Sequence, residues 1–68
     1  MQFMNNKKVS QILNALEKDG WRIVAQKGSH RQLKHPTKKG KVTVNGKKSD
    51  VICAFLLKSI ESQSGLKF

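Results

Sequence analysis

The residues best suited to chemistry lie in one short segment, where a histidine follows a Gly-Ser pair. His30 comes directly after Gly28-Ser29, and lysines are frequent on both sides of it. Nearby positive charge favours the neutral imidazole, which is the form that accepts a proton. We therefore interpret His30 as a candidate general base, with an ordinary surface histidine as the alternative.

Other side chains that catalysis or metal binding would need are few. The chain has one cysteine and one further histidine, His35, which stands an odd number of residues from His30. An ideal strand would place the two histidines on opposite faces, so His35 is interpreted as a strand-end or RNA-contact residue. We expect no metal and no other cofactor. Cys53 is interpreted as a small core residue.

The composition is that of one small, strongly basic domain. The 68 residues carry 14 Lys and Arg against 4 Asp and Glu, for a net charge of +10. A chain of this length has room for a single core, so residues 1–68 are expected to form one domain. The charge favours nucleic acid as a partner, with an anionic membrane or an acidic protein as alternatives.

Two classes of targeting segment are not expected. The longest apolar run, residues 51–57, is far shorter than the roughly 20 residues of a membrane span. Residues 1–8 have no apolar centre that would indicate a signal peptide. A single cysteine forms no internal disulfide, which favours the reducing cytoplasm.

Hydrophobic spacing predicts one helix before and one after a central region. The first runs from Asn6 to Gly20, is capped by Asn5 or Asn6, and has an apolar stripe at Val9, Ile12, Leu13 and Leu16. The second runs from about Asp50 to Ser64, is capped by Ser49 and stopped by Gly65, and would bury Ile52, Phe55, Leu56 and Ile60.

Three short segments between the helices predict strands, at Trp21–Gln26, His30–His35 and Lys41–Val44. Turns at residues 27–29 and 36–40 separate them, and Asn45-Gly46 ends the last. The order is α-β-β-β-α. We therefore predict an α+β fold in which a three-stranded antiparallel sheet carries two helices on one face.

The second strand sets the direction of the candidate base. Alternation puts His30, Gln32 and Lys34 on one face, and Arg31, Leu33 and His35 on the other. Leu33 belongs to the core side, so His30 is expected to face solvent. Trp21 is assigned to the core rather than to base stacking.

Lysines in the turns and on the outward face predict a track for phosphate groups, with a merely solubilising surface as the alternative. The backbone N–H groups of Gly28-Ser29 would add to it, and Arg22 and Arg31 would either pair with phosphate or only be solvated. The candidate RNA contacts are Lys27, Gly28, Ser29, Arg31, Lys34, His35, Lys38 and Lys39.

Three motifs in this order resemble the HicA toxins of bacterial and archaeal toxin–antitoxin systems. Residues 16–21 read LEKDGW, residues 28–30 read GSH, and residues 34–44 read KHPTKKGKVTV. Ser59-Ile60, Gln63 and Gly65-Leu66 match the end of the last helix. The resemblance extends from about Lys8 to Leu66. Residues 45–48 and 49–55 depart from it, since many relatives carry a proline- and histidine-containing stretch after the third strand.

The resemblance implies a double-stranded-RNA-binding-like fold and a ribonuclease that cleaves mRNA and stalls translation. It also implies inhibition by a HicB-type antitoxin, and it places the catalytic histidine at His30. As general base, His30 would activate an RNA 2′-hydroxyl, while His35, a lysine or water would supply the general acid. A non-catalytic double-stranded-RNA-binding-like module and a module for an acidic protein partner remain the alternatives.

Overall fold

Two amphipathic helices and a small antiparallel sheet form the structure, a computed structural model that describes residues 7–68. In chain order the elements are β1 (Lys7–Lys8), α1 (Val9–Asp19), β2 (Arg22–Lys27), β3 (His30–Lys34), β4 (Val42–Asn45), β5 (Val51–Ile52) and α2 (Ala54–Ser64). Strands β2, β3 and β4 form an antiparallel sheet in that order, and β1 pairs with β5 separately. The α+β prediction is confirmed, with two short strands added to the predicted order.

Helix α1 buries the predicted stripe of Val9, Ile12, Leu13 and Leu16. It ends at Gly20, whose φ of 108° is left-handed and favours glycine. A Cβ at this position would also lie 2.8 Å from Nε2 of His35, so the close packing of that ring requires glycine as well.

Backbone N–H groups at the start of α1 form hydrogen bonds with carbonyl groups from a distant part of the chain. The helix begins at Val9, whose N–H donates to the carbonyl oxygen of Asp50 at 2.9 Å. The N–H of Ser10 donates to the carbonyl of Lys48 at 3.1 Å. These bonds use two of the four N–H groups that a helix start leaves free. The predicted start of this helix at Asn6 is therefore wrong, because Lys7–Lys8 form strand β1 and Lys8 occupies the cap position. Asn5 and Asn6, the predicted caps, lie outside the described residues.

The prediction for the second helix was wrong at its start and on part of its buried face. Residues 51–52 pair with β1 as strand β5, so α2 begins at Ala54 rather than near Asp50, with Cys53 rather than Ser49 at the cap position. The buried residues of α2 are Leu57, Ile60 and Ser64. Phe55 and Leu56 are exposed, Phe55 to 81%, and Cys53 is exposed instead of lying in the core.

The core lies between the helices and the inner face of the sheet. Leu33, Val42 and Val44 supply the sheet side of it, and all three are fully buried. Trp21 is also fully buried, which confirms its assignment to the core. Because both helices contribute to this one cluster, residues 7–68 leave the other face of the sheet open.

Candidate active site

The predicted alternation of β3 is confirmed, and it directs His30 to the open face of the sheet. Arg31 and Leu33 are buried, whereas His30 and Lys34 are exposed. A tight turn precedes His30, with Gly28 at a φ of 60° and Ser29 at a negative φ. Positive φ at the first central residue alone is the pattern of a type II′ hairpin turn, which matches the twist of the strands.

Three side chains lie in a row across the open face. The register pairs His30 with Lys27 of β2 on one side and with Asn45 of β4 on the other. Residues directly opposite in an antiparallel pair project from the same face. Nδ1 of His30 lies 2.9 Å from Oδ1 of Asn45, within hydrogen-bond distance. A shallow depression beside His30 is lined by Ala25, Gln26, Lys27 and Gln32.

Asn45 is the functional candidate that the sequence reasoning missed. The sequence indicates Asn45-Gly46 only as the end of a strand. The connection between β3 and β4 is long and contains Pro36, so no short turn type specified the register. Pairing across these two strands is what places Asn45 beside the candidate base.

Arg31 joins two turns beneath this row of side chains. It is 5% exposed, and its guanidinium donates to the carbonyl oxygens of Gly46 at 2.8 Å and Ser29 at 3.3 Å. The N–H of Gly46 donates to the carbonyl of Ser29 at 3.1 Å. These bonds fix the backbone next to both His30 and Asn45, which gives Arg31 a structural role in the candidate site.

Further lysines extend the positive charge along the open face. Lys34 is exposed and lies four residues from His30 on the same side of β3, or about 13 Å at the usual rise of a strand. Between them, Nζ of Lys41 lies 3.4 Å from Oε1 of Gln32. Lys27, Lys41 and Lys34, which we call the lysine row, therefore follow the sheet on the face that carries His30.

His35 lies in a separate cluster at the far end of the hairpin. Its side chain is 9% exposed and packs edge-on against Trp21, with 5.3 Å between the ring centroids. Nδ1 accepts the N–H groups of Thr37 and Lys38, both at 3.1 Å. Nε2 therefore carries the hydrogen and donates to the carbonyl oxygen of Asp19 at 2.6 Å. Both ring nitrogens therefore form hydrogen bonds with the protein backbone.

Lys38 belongs to the same cluster. Its ammonium donates to Oδ2 of Asp19 at 2.6 Å and to the carbonyl oxygen of Ser64 at 3.2 Å. Lys38 thereby connects the ends of α1 and α2, and it is the one lysine of residues 7–68 that forms an ion pair. Lys39 is exposed. The structure thus brings Lys27, Gly28 and Ser29 to His30, and groups His35 and Lys38 elsewhere.

The cluster also predicts a loss of stability in acid. The hydrogen bond from Lys38 holds the pKa of Asp19 below its ordinary value of 3.8, and Trp21 Nε1–H adds to this. A carboxylate with a lowered pKa stabilises the fold above its ordinary pKa, and that stability is lost as the pH falls through the folded-state value. We expect the free energy of unfolding to decrease below about pH 4, and Asp19→Asn to lack this part of the decrease.

Urea unfolding at a series of pH values between 7 and 2.5 measures the effect. Glu17→Gln is the matched control, because it removes one carboxylate from the same helix without affecting the bond to Lys38. If the free energy of unfolding depends equally on pH in the wild type and in Asp19→Asn, Asp19 is not the source of the loss of stability in acid.

Residues 7–68 contain neither a metal-binding cluster nor a membrane-spanning helix. No group of three His, Cys, Asp or Glu side chains is arranged to hold a metal ion. Neither α1 nor α2 is long and apolar enough to cross a membrane.

Comparison with known proteins gives one match over most of the chain. A family model for the HicA toxin of bacterial toxin–antitoxin systems matches residues 9–66. The matched segment begins with α1 and ends just after α2, so it includes the whole candidate site. No curated protein matches the chain significantly.

Proposed function

The chain belongs to the HicA toxin family of toxin–antitoxin systems, and on this basis we propose that it is an endoribonuclease that cleaves mRNA in the cytoplasm. The observation that carries the proposal is the position of His30. This histidine is exposed on the open face of the sheet, directly after the Gly28-Ser29 turn and beside Lys27. A domain that only binds RNA has no need of an imidazole held at this point.

The proposed reaction is a metal-independent transesterification. His30 removes the proton of an RNA 2′-hydroxyl, and the 2′-oxygen then attacks the adjacent phosphorus. The new bond from the 2′-oxygen to phosphorus forms as the bond to the 5′-oxygen breaks, which leaves a 2′,3′-cyclic phosphate. Lys27, opposite His30, neutralises the charge that develops on the phosphate.

The proton for the departing 5′-oxygen comes from a lysine of the open face or from water. His35 was the other candidate for this role. Its ring nitrogens are bonded to Asp19, Thr37 and Lys38, and the ring packs on Trp21. We therefore assign His35 and Lys38 to structural roles.

The RNA contacts proposed on the same basis follow the open face. Lys27 and the turn residues Gly28 and Ser29 lie beside the cleaved phosphate, and Lys34 contacts the RNA strand further along the open face. Lys39 is exposed and is kept as an outlying contact. Arg31 acts through the backbone of Ser29 and Gly46 rather than on phosphate.

The antitoxin partner is proposed to be a HicB-type protein with an acidic surface. A net charge of +10 favours such a partner, and the lysine row is the complementary surface around His30. An antitoxin bound there would exclude RNA from the candidate site, which accounts for inhibition without any change in the fold of the toxin.

Cleavage of an end-labelled RNA by the purified protein in EDTA tests this function. We expect fragments with 5′-hydroxyl and 2′,3′-cyclic phosphate ends, and no cleavage of DNA of the same sequence. RNA binding without cleavage would instead favour a non-catalytic module that resembles double-stranded-RNA-binding domains.

The lysine row predicts a specific change in salt dependence. Each contact with single-stranded phosphate contributes about 0.7 to the slope of log affinity against log salt concentration. We expect Lys27→Ala to weaken RNA binding and to reduce this slope by about that amount, as measured by fluorescence anisotropy between 50 and 200 mM salt.

Lys18→Ala is the matched control, since Lys18 is an exposed lysine of α1, away from the open face. The control variant should keep the wild-type slope. Equal reductions for the two variants would mean that RNA is attracted by the overall charge and not by the surface around His30.

A further inference from the structure

The bond between His30 and Asn45 has a consequence for which ring nitrogen acts as the base. We propose that Asn45 is a positioning residue that holds the hydrogen of His30 on Nδ1 and so leaves Nε2 free to accept the proton of the substrate. This inference rests on the proposed function, since it specifies the base of the same site.

The argument begins with the atoms that face each other. Oδ1 of Asn45 lies 2.9 Å from Nδ1 of His30, and an amide oxygen is an acceptor only. A hydrogen bond between these two atoms requires that Nδ1 be the donor. In a neutral imidazole the other nitrogen then carries a lone pair, because one ring nitrogen donates and the other accepts.

The free nitrogen is the atom that the substrate hydroxyl would approach. Nε2 lies on the side of the ring away from Nδ1 and therefore away from Asn45. Lys27 of β2 flanks His30 across β3 from Asn45, at the depression that Ala25 and Gln32 also line. A phosphate neutralised by Lys27 would bring the adjoining 2′-hydroxyl within reach of Nε2.

The backbone around the pair is held from below. The guanidinium of Arg31 donates to the carbonyl oxygens of Ser29 and Gly46, the residues next to His30 and Asn45. Gly46 N–H also donates to Ser29 at 3.1 Å. Since the direct strand pairing of His30 with Asn45 adds to these bonds, the distance between the two side chains is set by the fold.

Nitrogen-15 NMR of the imidazole tests the proposal independently of cleavage, because the shifts and couplings of the ring nitrogens report which one carries the hydrogen. In the wild type with a neutral ring, we expect His30 to hold its hydrogen on Nδ1. Asn45→Ala should abolish this preference and lower the cleavage rate by about 10–100-fold, the size of effect known for removing the hydrogen-bond partner of a metal-bound histidine.

Asn45→Asp is the conservative variant, because a carboxylate oxygen also accepts from Nδ1. It should keep the hydrogen on Nδ1 and retain more activity than Asn45→Ala. Thr43→Ala is the matched control, since Thr43 is an exposed polar residue of the same strand and pairs with Gln32 instead of His30. It should leave both the tautomer and the rate unchanged.

The result that would overturn the proposal is a hydrogen on Nε2 of His30 in the wild type, or an unchanged tautomer in Asn45→Ala. Neither result would by itself affect the ribonuclease assignment. Conversely, a wild type that binds RNA without cleaving it would end the proposed function, while the NMR result would still decide which nitrogen Asn45 controls.

Discussion

Replacement of His30 by alanine is expected to lower the rate of RNA cleavage by about 10²–10⁴-fold, the usual contribution of a positioned general base. The side chain is exposed, and within residues 7–68 its hydrogen bond is to Asn45, so no other role in the fold is evident there. RNA affinity should change much less than the rate, since the lysines of the open face remain. Single-turnover cleavage of a labelled RNA at saturating protein separates these two quantities.

The fold of His30→Ala should be preserved, and urea unfolding checks this directly. An exposed side chain outside the core contributes little to stability, so the free energy of unfolding should stay within about 0.5 kcal/mol of the wild type. Thr43→Ala on the adjoining strand serves again as the control with normal cleavage. Wild-type cleavage by a well-folded His30→Ala would remove this residue from the mechanism.

Replacement of Trp21 by alanine has the largest expected effect on stability. Trp21 is fully buried, donates Nε1–H to Oδ2 of Asp19 at 3.2 Å, and packs edge-on against His35. Truncation of a buried tryptophan costs about 3–5 kcal/mol, which is a large part of the stability of a small domain. Chemical denaturation should show that Trp21→Ala is largely unfolded or unfolds at very low denaturant concentration.

Phe55→Ala provides the matched control for this experiment. It removes a large aromatic side chain too, but Phe55 is 81% exposed at the start of α2. Its effect on the free energy of unfolding should stay within about 0.5 kcal/mol. Similar losses for the two variants would contradict the position of Trp21 at the centre of the core.

The parts of the fold that follow from local patterns could be predicted from the sequence. The stripe of α1 and the alternation of β3 depend only on the repeat of each element, and Gly20 ends α1 because of its own backbone. The direction of His30 followed from the same alternation, together with the requirement that Leu33 face the core.

The start of α2 could not be predicted in this way because a distant segment determines it. Residues 51–52 continue the helical spacing of the apolar residues that follow, yet they pair with Lys7–Lys8. That pairing delays the helix to Ala54, and its buried face then includes Leu57 in place of Phe55 and Leu56.

The roles of the charged and polar residues depended on partners that lie far away along the chain. Arg31 and Lys38 are residue types that commonly bind phosphate. In the structure, however, Arg31 donates to Gly46, and Lys38 donates to Asp19 and Ser64. Asn45 reaches His30 only through the register of β3 and β4. Spacing along one element carries no information about such contacts.

The most direct test of the central claim uses an RNA with a single 2′-deoxy nucleotide at a mapped cleavage position, incubated with the wild-type protein in EDTA. If His30 activates the 2′-hydroxyl, cleavage should stop at that position and continue at others. Each upstream fragment should end in a 2′,3′-cyclic phosphate, and each downstream fragment should begin with a 5′-hydroxyl. Cleavage that persists at the deoxy position, or fragments with 5′-phosphate ends, would contradict the account.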